Sequence, residues 1–292
     1  MYRDRLMKAT GFLREHGRRY TQLIAALLYN FNLTGFATGK IYKGNLKGAC
    51  VPGLNCYSCP GAAFACPLGS LQGAIQKTSY KFPAYMLGTL LLFGVLFGRF
   101  ICGFLCPFGL IQELIGKLPF PKLKKSRVTR ALSYLKYVIL AGFVVVIPLI
   151  KREPGFCKYI CPAGTLEAGI PLVLMDERLR GSLGMLFSWK VLVLVLCVIM
   201  CSVCYRAFCR FICPLGAFYS FFNKVAFCNV TVDNEKCSGC GACVRSCKMD
   251  IAHVGDHECI QCGECTKVCP AGAIGMKSPG SLRQKSMRGA VK

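Results

Sequence analysis

Two stretches of the chain carry the same unusual set of residues, RFICGFLCPFG at 99–109 and RAFCRFICPLG at 206–216. Each contains a Cys-x3-Cys-Pro-x-Gly motif, and cysteine thiolates are the ligands of iron–sulfur clusters. Two cysteines four residues apart share one helical face and can bind one cluster together, and the Pro that follows ends or redirects the helix. We therefore predict that the two halves of the chain share one [4Fe–4S] cluster, here called the inner cluster, through four cysteines: Cys102, Cys106, Cys209 and Cys213.

Each of these motifs also has an Arg three residues before its first Cys. Arg99 and Arg206 are predicted to offset the negative charge of the cluster or to donate hydrogen bonds to its sulfurs. The alternative for the four cysteines is that they are free thiols in an apolar interior. That alternative does not explain why Pro and Gly recur after each pair.

Two further Cys-Pro-x-Gly endings predict a second, outer cluster at the opposite end of the apolar segments. One of them has a companion cysteine four residues earlier, as in the first two motifs, whereas the other has an irregular spacing. The predicted ligands of the outer cluster are Cys59, Cys66, Cys157 and Cys161. Disulfides are the alternative if this side faces an oxidising compartment.

Six of the 22 cysteines have no assigned role in this scheme. Three of them lie along one face of the last apolar segment, where packing is the simpler interpretation and ligation the alternative. The unassigned cysteines are Cys50, Cys56, Cys197, Cys201, Cys204 and Cys228.

The C-terminal part contains a C-x2-C-x2-C-x3-C run, and every cysteine of that run recurs 22 residues later. This duplication resembles the bacterial two-cluster ferredoxins, in which three close cysteines bind one cluster and the fourth binds the other. One predicted cluster has the ligands Cys237, Cys240, Cys243 and Cys269. The other has the ligands Cys259, Cys262, Cys265 and Cys247. Zinc is the alternative, but tetrahedral zinc sites pair two C-x2-C knuckles rather than two runs of four.

The segments between the motifs are apolar enough to lie in a membrane. Hydrophobic residues form 54% of the chain, and the mean hydropathy of +0.45 is above the usual range of a soluble domain. A signal peptide is the alternative for the first apolar stretch, but no A-x-A cleavage site follows it. Four stretches approach the ~20 residues that a membrane-spanning helix needs: Thr21–Gly39, Ala84–Leu105, Ala131–Ile150 and Met185–Cys204.

The distribution of basic residues predicts how these segments are oriented. Lys and Arg are concentrated in 1–20 and in 117–136, and such segments are retained in the cytoplasm. An even number of spans returns the C terminus to the same side. We therefore expect a multi-pass protein of the inner (cytoplasmic) membrane with both termini in the cytoplasm.

The predicted fold is mostly α: a four-helix transmembrane bundle of two tandem two-helix units, followed by a C-terminal α+β two-cluster ferredoxin domain. The formal charge of +24 favours an anionic partner. Nucleic acid is not predicted, because the basic residues flank apolar segments and thiolate-bound clusters are themselves anionic. The predicted division is a basic cytoplasmic leader 1–20, a membrane domain 21–226, a ferredoxin domain 227–276 and a disordered basic tail 277–292.

The motifs GRFICGFLCPFG and RFICPLG, together with the double run, resemble the NapH-type membrane ferredoxins, the quinol-oxidising subunits of periplasmic nitrate reductase systems. The electron-transferring membrane half of NosR-type proteins is similar. The resemblance covers the chain from about residue 84 and implies four spans, cytoplasmic termini and an electron-carrying role. The additional pairs, Cys59/Cys66 and Cys157/Cys161, depart from the family pattern and favour a longer relay. The paired motifs of the family map onto Cys102, Cys106, Cys209 and Cys213.

We expect an electron-transfer subunit of an oxidoreductase complex, because the sequence has no catalytic triad, carboxylate dyad or dinucleotide-binding loop. It would carry electrons from a cytoplasmic donor, through the ferredoxin and membrane clusters, to a partner at or across the membrane. The expected partners are other redox subunits, a soluble electron donor or acceptor, and the lipid bilayer. One alternative is a quinol dehydrogenase subunit, which would bind quinone, although no residue marks a quinone site. The other is a protein that delivers electrons for the maturation or regulation of a metalloenzyme.

Overall fold

The residues that the structure describes, 17–77, 84–123, 125–181 and 183–277 of a computed structural model, are mainly helical. The predicted leader and tail fall largely outside these residues. The helices before the ferredoxin part are 17–29, Thr34–Thr38, Pro67–Lys77, Ala84–Phe97, Phe100–Phe104, Pro107–Ile115, Arg127–Lys151, Gly155–Tyr159, Pro162–Met175, Glu177–Gly181, Met185–Val203, Ala207–Phe211 and Pro214–Phe221, with a 3-10 turn at Asn45–Gly48.

Two of the described helices are long and apolar enough to cross a membrane, namely Arg127–Lys151 and Met185–Val203, with mean hydropathies of 2.1 and 2.4. They correspond to the third and fourth predicted spans. The second predicted span contains the helix Ala84–Phe97, which has 14 residues and is shorter than the ~20 residues that cross the hydrocarbon layer. Helix 17–29 overlaps only the first part of the first predicted span and ends before Asn30. The bundle of four spans therefore stays a prediction.

The proline of every Cys-Pro-x-Gly motif begins a new helix. Pro67, Pro107, Pro162 and Pro214 each occupy the first helical position, where the missing N–H of proline costs nothing. The prediction that the two cysteines of a pair share one helical face is wrong. Cys102 lies in Phe100–Phe104, whereas Cys106 is the extended residue before the next helix (φ −89°, ψ 115°), because a residue before proline avoids the α conformation.

Two helices contain π-helical stretches, Leu140–Val146 and Thr165–Gly169. Each stretch is followed within two residues by a proline, Pro148 or Pro171. Proline lacks the N–H of the α-helical bond, and widening to a π-helix accommodates the lost bond. The second stretch carries Glu167, whose side chain accepts a hydrogen bond from the Cys56 N–H of another loop.

The C-terminal part has the secondary structure of a small α+β domain. Its strands Asn229–Val232 and Ile274–Lys277 pair antiparallel. Between them lie the helix Ala242–Ser246 and the 3-10 helix Glu264–Lys267. Each of the two short helices follows a glycine in the left-handed conformation, as a duplicated cysteine run predicts.

A buried ion-pair cluster, formed by Arg99, Lys136 and Glu258, joins the C-terminal part to the helices. The Glu258 carboxylate accepts a hydrogen bond from Arg99 Nη1 at 3.0 Å and pairs with the Lys136 ammonium group. All three side chains are at most 2% exposed. Burial alone would raise the pKa of Glu258, but the cationic groups of Arg99 and Lys136 lower it below its ordinary value. The carboxylate is therefore charged, and its charge is compensated inside the protein.

Acidic residues of the C-terminal part also meet basic residues around this cluster. Asp250 pairs with Arg210 at 3.1 Å, and Asp256 with Arg130 at 3.5 Å. Asn223 donates to the carbonyl oxygen of Cys259 at 2.8 Å. The acids of the C-terminal part thus dock onto the basic surface that includes the end of the 117–136 segment.

The first prediction concerns this buried ion-pair cluster. Glu258→Gln keeps the side-chain shape but leaves two buried cations without an anion, and removing one member of a buried pair costs about 3–5 kcal/mol. We expect the thermal unfolding midpoint of the purified protein to fall clearly. In the control Asp233→Asn, an exposed pair with Lys236 at 3.6 Å is removed, and exposed pairs contribute about 0–1 kcal/mol. Equal midpoints for the two variants would contradict the docking role of Glu258.

Candidate iron–sulfur centres

The structure brings together the four cysteines predicted for the inner cluster; this set, Cys102, Cys106, Cys209 and Cys213, is called the inner site below. All four are at most 7% exposed. The thiol of Cys213 lies within electrostatic range of the other three, and the thiol of Cys106 within range of Cys102 and Cys209. The two halves of the chain therefore contribute to one buried group of thiols.

Arg99 and Arg206 are both fully buried, and each crosses to the other half of the chain. Arg99 Nη2 donates to the carbonyl oxygen of Cys209 at 3.4 Å, and Arg206 Nη1 donates to the carbonyl oxygen of Cys102. Each Arg thus fixes the backbone of the first cysteine in the opposite pair. The cationic groups also lie beside the thiols, where they would compensate the charge of thiolates.

The glycines of the two motifs leave room for these crossings. A Cβ at Gly109 would lie 3.1 Å from the Cys102 carbonyl oxygen and 3.3 Å from Arg206 Nη1. A Cβ at Gly216 would lie 3.4 Å from the Cys209 carbonyl oxygen. The Gly at the end of each motif therefore packs against the first cysteine of the other half.

Each crossing Arg is paired with a buried Glu. Arg99 pairs with Glu258 of the C-terminal part, and Arg206 Nε donates to Glu113 at 3.0 Å. Glu113 also accepts hydrogen bonds from Arg18 Nη1 and Nη2, at 2.5 and 2.9 Å, and from the Tyr205 hydroxyl at 2.6 Å. Burial would raise the pKa of Glu113, but Arg206 and Arg18 lower it to about 2.

Gln112 holds the first cysteine of the second pair. Its Nε2 donates to Cys209 Sγ at 3.0 Å, and its Oε1 accepts from the Cys209 backbone N–H at 3.3 Å. The backbone N–H of Gly216 donates to Cys213 Sγ at 3.4 Å. Donors aimed at sulfur are expected where thiolates bind a cluster.

The C-terminal cysteines line two separate cavities. One of about 370 Å³ is lined by Cys237, Cys240, Cys243 and Cys269, and is called the distal site. The other, of about 170 Å³, is lined by Cys247, Cys259, Cys262 and Cys265, and is called the proximal site. The grouping is the one that the crossed ligand pattern predicts.

The chemistry of these sets suits a cationic iron–sulfide core. Burial, together with the neighbouring thiols, raises the pKa of Cys265 to about 12 and that of Cys247 to about 11. Thiolates packed this closely need a positive core to be stable. All 22 cysteines lie in the described residues, and each is a free thiol. Among the described residues, no group of three or more His, Cys, Asp or Glu side chains is arranged to hold a single metal ion. A [4Fe–4S] cluster, in contrast, distributes its cysteine ligands over several irons.

The proximal site directly adjoins the inner site. A Cβ at Gly103 would lie 2.5 Å from the Ile260 carbonyl oxygen and 3.9 Å from the Cys262 Cα. Gly103 follows Cys102, and Ile260 follows Cys259, so the two cysteine loops touch through backbone. At the distal site, by contrast, Cys237 and Cys240 are exposed to solvent.

The remaining predicted ligands lie around a cavity of about 670 Å³, called the outer cavity. Cys66, Cys157 and Cys161 line it together with Cys56, to which the sequence assigns no role. Cys59 is 3% exposed and lies near Lys47, and it is absent from the described residues that line the cavity.

The other unassigned cysteines occupy various positions. Cys201 donates to Gln112 Oε1 at 3.6 Å, and its free thiol also shares a hydrogen bond with the thiol of Cys197. Cys204 Sγ accepts from Arg210 Nη1 at 3.2 Å. Cys50 Sγ lies 3.5 Å from the Met86 sulfur, and the Cys228 backbone N–H donates to Leu96.

Sequence analysis missed the polar residue six positions after the cysteine of each Cys-Pro-x-Gly motif. In all four motifs it reaches toward the other half or toward the 52–56 loop: Gln72 to Cys157, Gln112 to Cys209, Glu167 to Cys56 and Tyr219 to Pro52. The constant spacing was the available signal. The two acids that pair with the crossing arginines, Glu113 and Glu258, carried no such signal.

Comparison with known families agrees with the cysteine chemistry. Three segments, 82–126, 135–170 and 185–228, match a family described as a 4Fe-4S binding domain. Two more, 230–251 and 254–275, match a second family of the same description. No solved structure matches. The chain is an iron–sulfur protein that contains several 4Fe-4S binding domains.

Several characterised and uncharacterised proteins are similar to the chain. An uncharacterized protein of Methanocaldococcus jannaschii is 30% identical over 191 residues, 62% of this chain and 69% of the relative. The methylamine utilization ferredoxin-type protein MauN of Methylorubrum extorquens is 26% identical over 245 residues, 82% of this chain and 77% of MauN. The regulatory protein NosR of Stutzerimonas stutzeri is 25% identical over 173 residues, 56% of this chain but 22% of NosR. The chain belongs to the ferredoxin-type electron-transport proteins of the NapH/NosR type, which confirms the family resemblance.

The second prediction concerns the backbone contact between the proximal and inner sites. Gly103→Val places side-chain atoms against the Ile260 carbonyl and must push the 259–262 loop away. We expect faster hydrogen–deuterium exchange in that loop, because local opening becomes easier. In Gly88→Val the new side chain meets open space, and exchange in the loop should stay unchanged. Identical exchange in the two variants would contradict the contact.

Proposed function

We propose that the protein is a membrane-bound relay of single electrons. It would accept them from a soluble one-electron carrier at the distal site and deliver them to a redox partner at the outer cavity. The observation that carries the proposal is the row of four cysteine-lined sites: distal, proximal, inner and outer. When bound there, [4Fe–4S] clusters supply one-electron oxidation and reduction.

The side chains at each site contribute binding and charge compensation. Cys237 and Cys240 are exposed, so the distal site is open to a soluble carrier. The inner thiols are shielded from water and face two buried guanidinium groups, which favour the anionic state of bound thiolates. The distal cysteines would hold one cluster, the proximal cysteines a second and the inner cysteines a third.

Backbone contacts between the inner site and the outer cavity support the proposed order of the sites, in which the outer site follows the inner site. A Cβ at Gly53 would lie 3.1 Å from the Cys106 Cα, and Cys56, three residues further along, lines the outer cavity. Tyr219 is buried and lies within electrostatic range of Cys66 and of Cys102. The 53–56 stretch therefore extends from the inner site to the lining of the outer cavity.

A membrane location is supported by the apolar surface of the long helices. Val138 and Ile150 are 67% and 75% exposed, and exposed apolar faces of this extent are typical of lipid contact. Ion pairs join Arg18 to Glu113, the helical residue Arg130 to Asp256, and the ferredoxin part to Arg99 of the inner motif. We infer four spans with these parts on the cytoplasmic side and the outer cavity toward the opposite face.

The third prediction tests the relay through iron content. Protein purified without oxygen should contain roughly sixteen irons per chain, four for each cluster. Cys102→Ala should lower the count by roughly four, because one inner ligand is lost. Roughly eight irons in the unmodified protein would leave only the ferredoxin clusters and end the proposal.

Electron transfer itself can be measured in liposomes. With the ferredoxin part facing outward, reduced ferredoxin added outside should reduce cytochrome c enclosed inside, since neither protein crosses lipid. Cys213→Ala should abolish this reduction. Reduction at the rate of protein-free liposomes would contradict a relay across the membrane.

The fourth prediction concerns Gln112. Hydrogen bonds to cluster sulfurs favour the reduced, more negative state, so Gln112→Leu should lower the reduction potential of the inner cluster. A redox titration followed by electron paramagnetic resonance measures it. Gln72→Leu is the matched control, because Gln72 contacts Cys157 of the outer cavity instead. An unchanged inner potential in Gln112→Leu would contradict the role of this bond.

A further inference from the structure

We infer that Cys56, rather than Cys59, is the fourth ligand of the outer cluster, together with Cys66, Cys157 and Cys161. This inference rests on the proposed function, since it assigns a ligand to one of the proposed clusters. Spacing alone does not separate the two cysteines, because both precede Cys66 in an irregular motif.

The cavity lining is the first observation. Cys56, Cys66, Cys157 and Cys161 line one cavity of about 670 Å³. The thiol of Cys161 lies within electrostatic range of the other three. A group of four thiols from both halves of the chain is the donor set that a four-iron cluster requires.

The motif glycines give a second, independent observation. A Cβ at Gly69 would lie 3.8 Å from Cys157 Sγ and 3.9 Å from Cys66 Cβ. A Cβ at Gly164 would lie 3.7 Å from Cys56 Sγ and 3.8 Å from Cys161 Sγ. The glycine of each half therefore lies between its own cysteine and one from the other half, and Cys56 occupies the position that matches Cys157.

The residues six positions after Cys66 and Cys161 likewise contact a cysteine of the other half of the chain. Gln72 donates to Cys157 Sγ at 3.5 Å, and its Oε1 accepts from the neighbouring Phe156 N–H at 3.1 Å. In the other half, Glu167 Oε2 accepts from the Cys56 N–H at 2.7 Å. Glu167 is thus a positioning residue that fixes the loop of Cys56, as Gln72 fixes that of Cys157.

Cys59 has different surroundings. Its backbone N–H donates to the Cys56 carbonyl at 3.1 Å, which closes a turn between the two cysteines. The Cys59 thiol lies within electrostatic range of Glu167 and Lys47, and it accepts from the backbone N–H groups of Gly61 and Ala62. Lys47 is itself tied to the Ala62 carbonyl at 2.5 Å. Backbone donors of its own loop therefore surround the Cys59 thiol, and Cys59 does not belong to the described lining of the outer cavity.

Iron and sulfide counts on full-length protein purified without oxygen test the inference. Cys56→Ala and Cys66→Ala should each lose roughly four irons per chain, with the spectra of the other clusters unchanged. Cys59→Ala should keep the iron count of the unmodified protein. Loss of iron in Cys59→Ala, with no loss in Cys56→Ala, would overturn the assignment while leaving the outer cluster in place. A count in Cys66→Ala equal to that of the unmodified protein would instead contradict an outer cluster held by the motif cysteines, and with it that part of the proposed function.

Two further measurements keep the assignment testable if a cysteine variant does not fold. In the unmodified protein, iron chelation should make Cys56 reactive toward N-ethylmaleimide, whereas the buried Cys59 should not change. Unchanged Cys56 reactivity would overturn the assignment. Glu167→Leu should lose roughly four irons, and Glu167→Gln, which keeps an acceptor for the Cys56 N–H, should retain them. Equal counts in the two Glu167 variants would contradict the positioning role.

Discussion

The inner site depends on two buried arginines that cross between the halves of the chain. Each guanidinium group binds the backbone of the first cysteine in the opposite pair, and each is neutralised by a buried Glu. An unpaired charge in such surroundings would be strongly destabilising. The arginines can therefore hold the two cysteine pairs together only if Glu258 and Glu113 are both present. The parts of the chain that supply these two acids must accordingly pack against the inner site.

One of the two acids comes from outside the helical part. Glu258 directly precedes Cys259 of the proximal site, so the ion pair that completes the inner site also docks the ferredoxin part. The same contact brings the Ile260 carbonyl against Gly103. The Arg99–Glu258 ion pair therefore both docks the ferredoxin part and brings the proximal site next to the inner site. The other acid, Glu113, ties helix 17–29 to the second motif through Arg18 and Arg206.

Much of this could be predicted from the sequence. The duplicated run predicts a grouping of the eight ferredoxin cysteines, since its spacing is fixed by local loop geometry, and the same groups line the two cavities. The Arg-x2-Cys-x3-Cys-Pro-x-Gly repeat indicated the inner site. The partners of the arginines could not be predicted, because Glu113 and Glu258 become neighbours of Arg206 and Arg99 only through tertiary packing. The choice between Cys56 and Cys59 likewise depends on a turn and on Glu167, which is more than 100 residues away in sequence.

The central claim is that cysteines from both halves of the chain bind one iron–sulfur core between the two arginines. Anomalous scattering at the iron absorption edge, measured on crystals of the oxygen-free protein, tests it most directly. The account predicts a compact iron peak bounded by the sulfur atoms of Cys102, Cys106, Cys209 and Cys213. Iron peaks confined to the two ferredoxin sites, with the four thiols in direct contact or in disulfides, would contradict it.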